Sequence, residues 1–181
     1  MAKQKGLLIP KPTKMPNKER QCPGCRLRMP ADTAAAYDGY YHCSPECWSI
    51  YSEVLGTQFS NAIIFGQVHQ MTVDAYALQH AGGSHKNKSI TIHLAGLHAA
   101  YDLGIPQTQI PRLLQQLANY VQHWPYYVPP LSTGPMTAFD IALAGTTEEH
   151  ILRVKKWADF VWDAWSDHHT KIASLVSSHL H

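Results

Sequence analysis

The chain has 181 residues, of which 45% are apolar and only 15% charged, with a formal net charge of +2. That length suffices for one full core or a small domain joined to a larger one, and the composition is globular rather than disordered. No run of about 18 uninterrupted apolar residues exists for a membrane-spanning helix, and the apolar patch from Gly6 to Pro10 is too short for a signal peptide.

The cations are unevenly placed. Residues 1–28 carry Lys3, Lys5, Lys11, Lys14, Lys18, Arg20, Arg26 and Arg28 against Glu19 alone, whereas the remainder is mildly acidic. The first 19 residues include Pro10, Pro12 and Pro16 and little that can be buried, so they read as a flexible basic arm. Such an arm either contacts a protein or nucleic-acid partner, through phosphates in the latter case, or is a solvated tail. It lacks the aromatics that stack on bases.

All four cysteines of the chain follow at once, as Cys22-Pro23-Gly24-Cys25 and Cys43-Ser44-Pro45-Glu46-Cys47. Two close thiol pairs at this separation suit one tetrahedral zinc ion. With no leader in the sequence the expected compartment is the cytoplasm, where paired cysteines read as metal ligands before disulfides. Pro23-Gly24 bends the backbone between the first pair. Ser44-Pro45-Glu46 starts a helix, with a capping serine, proline at the first helical position and an acid in the first turn. The helix dipole then favours thiolate there. Gly39 makes a small hairpin plausible between Tyr37 and Tyr41, which completes a treble-clef-like layout. The expected ligands are Cys22, Cys25, Cys43 and Cys47. His42 offers an alternative to Cys43, and four reduced thiols without metal are the other reading. A closed four-thiolate site is structural, since no position stays open for water.

The helices expected after the window run from Pro45 to about Gly56, Asn61 to His80 with Gly82-Gly83 as its stop, Ser89 to Leu103, and Thr108 to Val121. The second is apolar nearly all round, which places it in the middle of a bundle. A proline-rich loop covers 123–135, and a short helix covers Thr137 to Leu143. Thr146 and Glu149 form a capping box that opens a long last helix, interrupted near Ser166-Asp167. The fold class is therefore mainly α: a helical bundle at 57–181 behind a small finger at 20–56.

Twelve histidines are many for a chain of this size. His69 and His80 share a face of the second helix, His93 lies among the apolar residues of the third, and His168 and His169 end the last stripe. Facing helices of a bundle can build a metal site from such side chains. A second divalent metal held by His69, Asp74, His80, His93, His168 or His169 is one expectation, with Asp74 a supporting carboxylate or a base. The other is that each imidazole bonds a neighbouring group. Whether the chain is an enzyme is left open: there is no Gly-rich phosphate loop, G-x-S-x-G or H-E-x-x-H.

Tyr40-Tyr41-His42-Cys43-Ser44-Pro45-Glu46-Cys47 resembles the F/Y-x-C-S-x-x-C signature of the TRASH and MYM-type fingers, with Arg26 where many such knuckles have glycine. That resemblance implies a four-cysteine zinc module over about Cys22 to Tyr51. From Cys22 to His169 the chain resembles an uncharacterised bacterial domain-of-unknown-function family. Its pattern is CPGC, SPECW, HQ-x-TVDAYA-x-QH, HL-x-GL and W-x-x-W-x-x-HH, here Cys22–Cys25, Ser44–Trp48, His69–His80, His93–Leu97 and Trp162–His169. The resemblance implies a bacterial or phage-related soluble protein and supplies no activity. A looser architectural similarity to bundle metalloproteins of the DinB type does not extend to ligand spacing.

Overall fold

The structure is a computed structural model describing residues 19–179 other than 33 and 38. The basic arm lies outside the described residues apart from its last position, Glu19. The described chain is mainly helical, and among the described residues no helix is long and apolar enough to cross a membrane.

Two short antiparallel strands, β1 (Glu19–Gln21) and β2 (Arg28–Pro30), pair with Arg20 opposite Met29. They flank the first cysteine pair, so the hairpin of this region surrounds Cys22–Cys25. The expected hairpin at Tyr37–Tyr41 is instead a turn without strands. The Tyr37 hydroxyl donates to the Tyr41 carbonyl at 2.8 Å and accepts the Tyr41 amide, so a side chain supplies the bonds a strand partner would have made.

Among the described residues seven helices follow. They are α1 (Pro45–Phe59), α2 (Ala62–Gln79), α3 (Asn87–Tyr101), α4 (Ile110–Tyr120), α5 (Ala138–Ala142), α6 (Thr147–Ala164) and α7 (His169–His179), with a 3-10 turn at Ser166–His168 before α7. Their ends follow local chemistry. Asn61 caps α2 by accepting the amides of Ile63 and Ile64, and Thr137 and Asp140 form a reciprocal capping box on α5. At α6 the expected box is half made: Thr146 accepts the Glu149 amide, but the Glu149 carboxylate turns to the Gly145 amide and to Arg153. α1 runs through Gly56 to Phe59, three residues past the expected stop, because Gly56 takes a helical conformation and the chain turns only at Ser60-Asn61.

α2 is the central helix, packing most extensively on α6 and α3 and also on α1. Its apolar character all round explains this, except at its first turn, where Ile63 and Phe65 face solvent. α6 meets it with His150, Val154, Trp157 and Val161 at helical spacing, all buried. α4 uses Ile110, Leu114 and Leu117, and α7 uses Ile172 and Val176. Tyr51 of α1 stacks on Tyr76 of α2 with ring centroids 3.7 Å apart. The segment between α4 and α5 has no regular structure, yet it buries Tyr127 completely and is tied down by donors from the C-terminal helices. His168 Nε2 donates to the Val128 carbonyl at 2.9 Å and Lys171 Nζ to that of Tyr126 at 2.9 Å.

A candidate metal centre

The first knuckle forms between the paired strands. The Cys22 amide donates to the Leu27 carbonyl at 2.8 Å, and the Arg26 amide donates back to the Cys22 carbonyl at 3.0 Å. Closing this turn puts Arg26 at φ 66°, a left-handed conformation that disfavours a side chain. Arg26 is therefore a glycine-like position filled by arginine. The thiol pair of the turn faces the start of α1 and the end of α2.

Cys47 is the third residue of α1, and its amide donates to the capping Ser44 hydroxyl at 3.3 Å. His80 caps the C-terminus of α2. Its Nδ1 donates to the Tyr76 carbonyl at 2.8 Å, which leaves Nε2 to face the cysteines, 3.3 Å from Cys47 Sγ. The Tyr76 hydroxyl donates to the same sulfur at 3.6 Å. Sγ of Cys22, Cys25 and Cys47 and the ring nitrogen of His80 all lie within 4.8 Å of one another. Among the described residues no other group of three or more His, Cys, Asp or Glu side chains converges in this way. Cys22, Cys47 and His80 are essentially inaccessible to solvent.

Cys43 is not in this group; it lies against the Tyr76 side chain. Its position follows from the helix cap. Ser44, at φ −83° and ψ 156°, is extended, so Cys43 precedes the helix and does not share a face with Cys47. The i to i+4 relation that the spacing suggests holds only when both residues are helical. His80 takes part because the C-terminus of α2 packs directly on the knuckle. The His42 amide donates to the His80 carbonyl at 3.0 Å, joining the second cysteine segment to the same helix end.

The donor chemistry fits zinc. A tetrahedral ion with bonds of about 2.3 Å separates its sulfurs by about 3.8 Å, and Cys25 Sγ lies 3.7 Å from Cys47 Sγ. Three thiolates and one imidazole form one of the standard closed sets. The thiols alone are in conflict. Hydrogen bonds from Cys25 and Cys47 draw the Cys22 thiol far below its ordinary value. The same contacts with Cys22, helped by burial, push Cys25 up to about 12 and Cys47 higher still. Three thiolates this close repel one another, and a divalent cation at their centre would offset that repulsion.

Two further features hold this corner together. Glu46 Oε1 accepts the Asp32 amide at 2.9 Å and the Arg20 guanidinium at 3.0 Å, linking hairpin and helix. Burial opposes its charge, but backbone amides, Ser44 and Arg20 hold its carboxyl below the ordinary glutamate range. A Cβ on Gly24 would lie 2.6 Å from both His80 Cδ2 and the His42 carbonyl oxygen. Gly24→Ala is therefore expected to push the knuckle off α2 and destabilise the protein by about 1–3 kcal/mol. A lowered urea midpoint at unchanged m-value checks this.

The remaining histidines singled out from the sequence are dispersed. His69 Nδ1 donates to Gln58 Oε1 at 2.9 Å and its ring stacks on Phe65. Burial draws the His69 imidazole below its ordinary value. Gln58, fully buried, donates to Thr72 at 2.7 Å and meets His150 Nε2 at 3.1 Å, a polar network across α1, α2 and α6 that the helical pattern did not reveal. His169 Nε2 donates to the Trp162 carbonyl at 3.0 Å, and its ring stacks on that indole at 3.6 Å. His168 serves the 121–136 segment as described above. His93 and Asp74 pair with each other, His93 Nδ1 to Asp74 Oδ1 at 2.8 Å. Of the six residues expected at a second site, only His80 joins a converging group, and that group is the cysteine cluster.

No curated protein and no solved structure matches the chain. The knuckle, the capped cysteine helix, the α2 histidines and the tryptophan helix nevertheless lie within one continuous family match: over residues 20–166 the chain belongs to the family of unknown function DUF5946.

Proposed function

We propose that the chain is a zinc-binding helical protein in which Cys22, Cys25, Cys47 and His80 hold one structural ion. The observation that carries this reading is the convergence of three sulfurs and one correctly presented imidazole nitrogen within 4.8 Å. Four protein donors leave no position for water, so the ion is a clip rather than a catalyst. It fastens the hairpin to the start of α1 and the end of α2, segments too short to bury a core of their own. A knuckle facing a helix whose first turn supplies a ligand is the treble-clef layout, here closed by a histidine from the bundle. Metal binding is then part of folding free energy.

Metal content and thermal stability of the purified chain test this. One zinc per chain is expected, with the midpoint falling on chelation and recovering when zinc is returned. A chain with no tightly held metal overturns the reading. The same assay on His69→Ala and His93→Ala addresses a second metal: one zinc in all three proteins rejects it, whereas a second equivalent lost with either substitution supports it.

A further inference from the structure

We infer that the cleft beside the first turns of α3 is a binding site for the oxyanion of a small molecule, with His93 as the group that meets it and Asp74 as its positioning residue. The cleft encloses about 250 Å³ and is lined by Tyr40, Lys86, Lys88, Ser89, Ile92 and His93. Its two charged linings are both cationic, and among the described residues no aspartate or glutamate lines it. Lys86 and Lys88 are exposed at the rim, the latter with its ammonium 5.2 Å from the Trp124 ring centroid. The volume suits a small ligand only.

His93 is only 12% exposed, and the arrangement behind it is specific. Asp74 is completely buried on α2; its Oδ1 accepts from His93 Nδ1 and from Gln70 Nε2, both at 2.8 Å. Its Oδ2 has no partner and occupies space that Gly96 of α3 leaves open. A buried carboxylate is costly, and the imidazole it orients is the member of this cluster that reaches the cleft. With Nδ1 committed to Asp74, Nε2 is the nitrogen available to a ligand. When both ring nitrogens carry hydrogen, Nδ1 donates to Asp74 and Nε2–H donates to an anion in the cleft. Among the described residues the other titratable or charged groups around His93 are Lys86 at the N-cap of α3, Lys88 in its first turn, His85 just before it with ring centroids 6.4 Å apart, and Tyr40 from the segment before α1. None of the cysteine-cluster residues lines this cleft, so failure of the zinc reading and failure of this one are separable.

The test uses the metal-loaded full chain, with sulfate standing for a phosphoryl group and acetate for a carboxylate. Binding is read from the imidazole nitrogens of His93 by NMR. Saturable displacement of the His93 Nε2 resonance by either anion is expected, and the anion preferred names the ligand class. Affinity falls roughly tenfold in His93→Gln and severalfold in the Lys86→Ala, Lys88→Ala double variant. Asp74→Asn shifts the balance between the two neutral ring tautomers, a signature that loss of packing alone does not produce. The inference is overturned if neither anion displaces the His93 signals saturably, or if the double lysine variant, altered only at exposed side chains, binds them as the parent does.

Discussion

If Cys22, Cys25, Cys47 and His80 hold zinc as proposed, His80→Ala is expected to abolish tight zinc binding, whereas Cys43→Ser keeps it. His80 supplies the fourth donor of the converging group, and its ring is fully buried between the knuckle and Tyr76. Truncation removes a ligand, leaves a cavity where the imidazole stood, and frees the Tyr76 carbonyl of its side-chain donor. These losses act together, so a destabilisation of about 3–5 kcal/mol is expected. Cys43 stands ahead of the helix cap and outside the converging group, so its serine variant should lose about 1 kcal/mol or less. Metal stoichiometry and thermal unfolding of the two variants decide the matter. Cobalt substitution adds an independent reading, since three sulfurs with one nitrogen and four sulfurs give different visible spectra. The opposite pattern, zinc lost in Cys43→Ser and kept in His80→Ala, assigns the four-cysteine set that the spacing suggests.

Gly96→Ala is expected to destabilise the protein by about 3–5 kcal/mol, against the usual preference of helices for alanine. Helix propensity alone favours the substitution by about 1 kcal/mol. The Cβ, however, would lie 2.1 Å from Asp74 Oδ2 and 2.6 Å from its Cγ. Asp74 has nowhere to go, being fully buried where α2 packs on α3. Either the helices separate or the carboxylate swings away from His93 and Gln70. Overpacking costs about 1–3 kcal/mol, and each buried hydrogen bond left broken adds about 1–3 kcal/mol. Denaturant unfolding measures the sum. In an Asp74→Ala background the same glycine substitution should cost far less, because the clashing atoms are gone; a double-mutant cycle reads that coupling. A Gly96→Ala protein at least as stable as the parent would show that α3 does not press on Asp74.

The helical bundle was legible because its signals are local. Pro45 after Ser44, Asn61 before an apolar run, and Gly82-Gly83 after it mark ends within a residue or two of where they occur. The break at Ser166-Asp167 was equally visible, and a 3-10 turn stands there between α6 and α7. Asp74 was readable as a supporting carboxylate or a base, but its partner was not. His93 lies 19 positions away on another helix, and only the packing of α3 on α2 brings the two to 2.8 Å. The Gln58 network was missed for the same reason: Gln58 continues the buried stripe of Cys47, Tyr51 and Val54, but its partners Thr72 and His150 lie on other helices. Arg26 was visible as a departure at a glycine-like position, and its left-handed backbone is the structural counterpart.

By itself the sequence determined the mainly helical class, the Ser44 and Thr146 caps that open α1 and α6, and the Pro23-Gly24 turn that pairs Cys22 with Cys25. These depend on neighbours within a few residues, through backbone geometry and helix period. Tertiary structure alone decided which donors meet. Cys43 is four residues from Cys47 in the chain yet stands before the cap, while His80, 33 residues beyond Cys47, arrives within 3.3 Å because the end of α2 packs on the knuckle. Convergence on a point is set by how helices lean on one another, and spacing along one segment does not encode it.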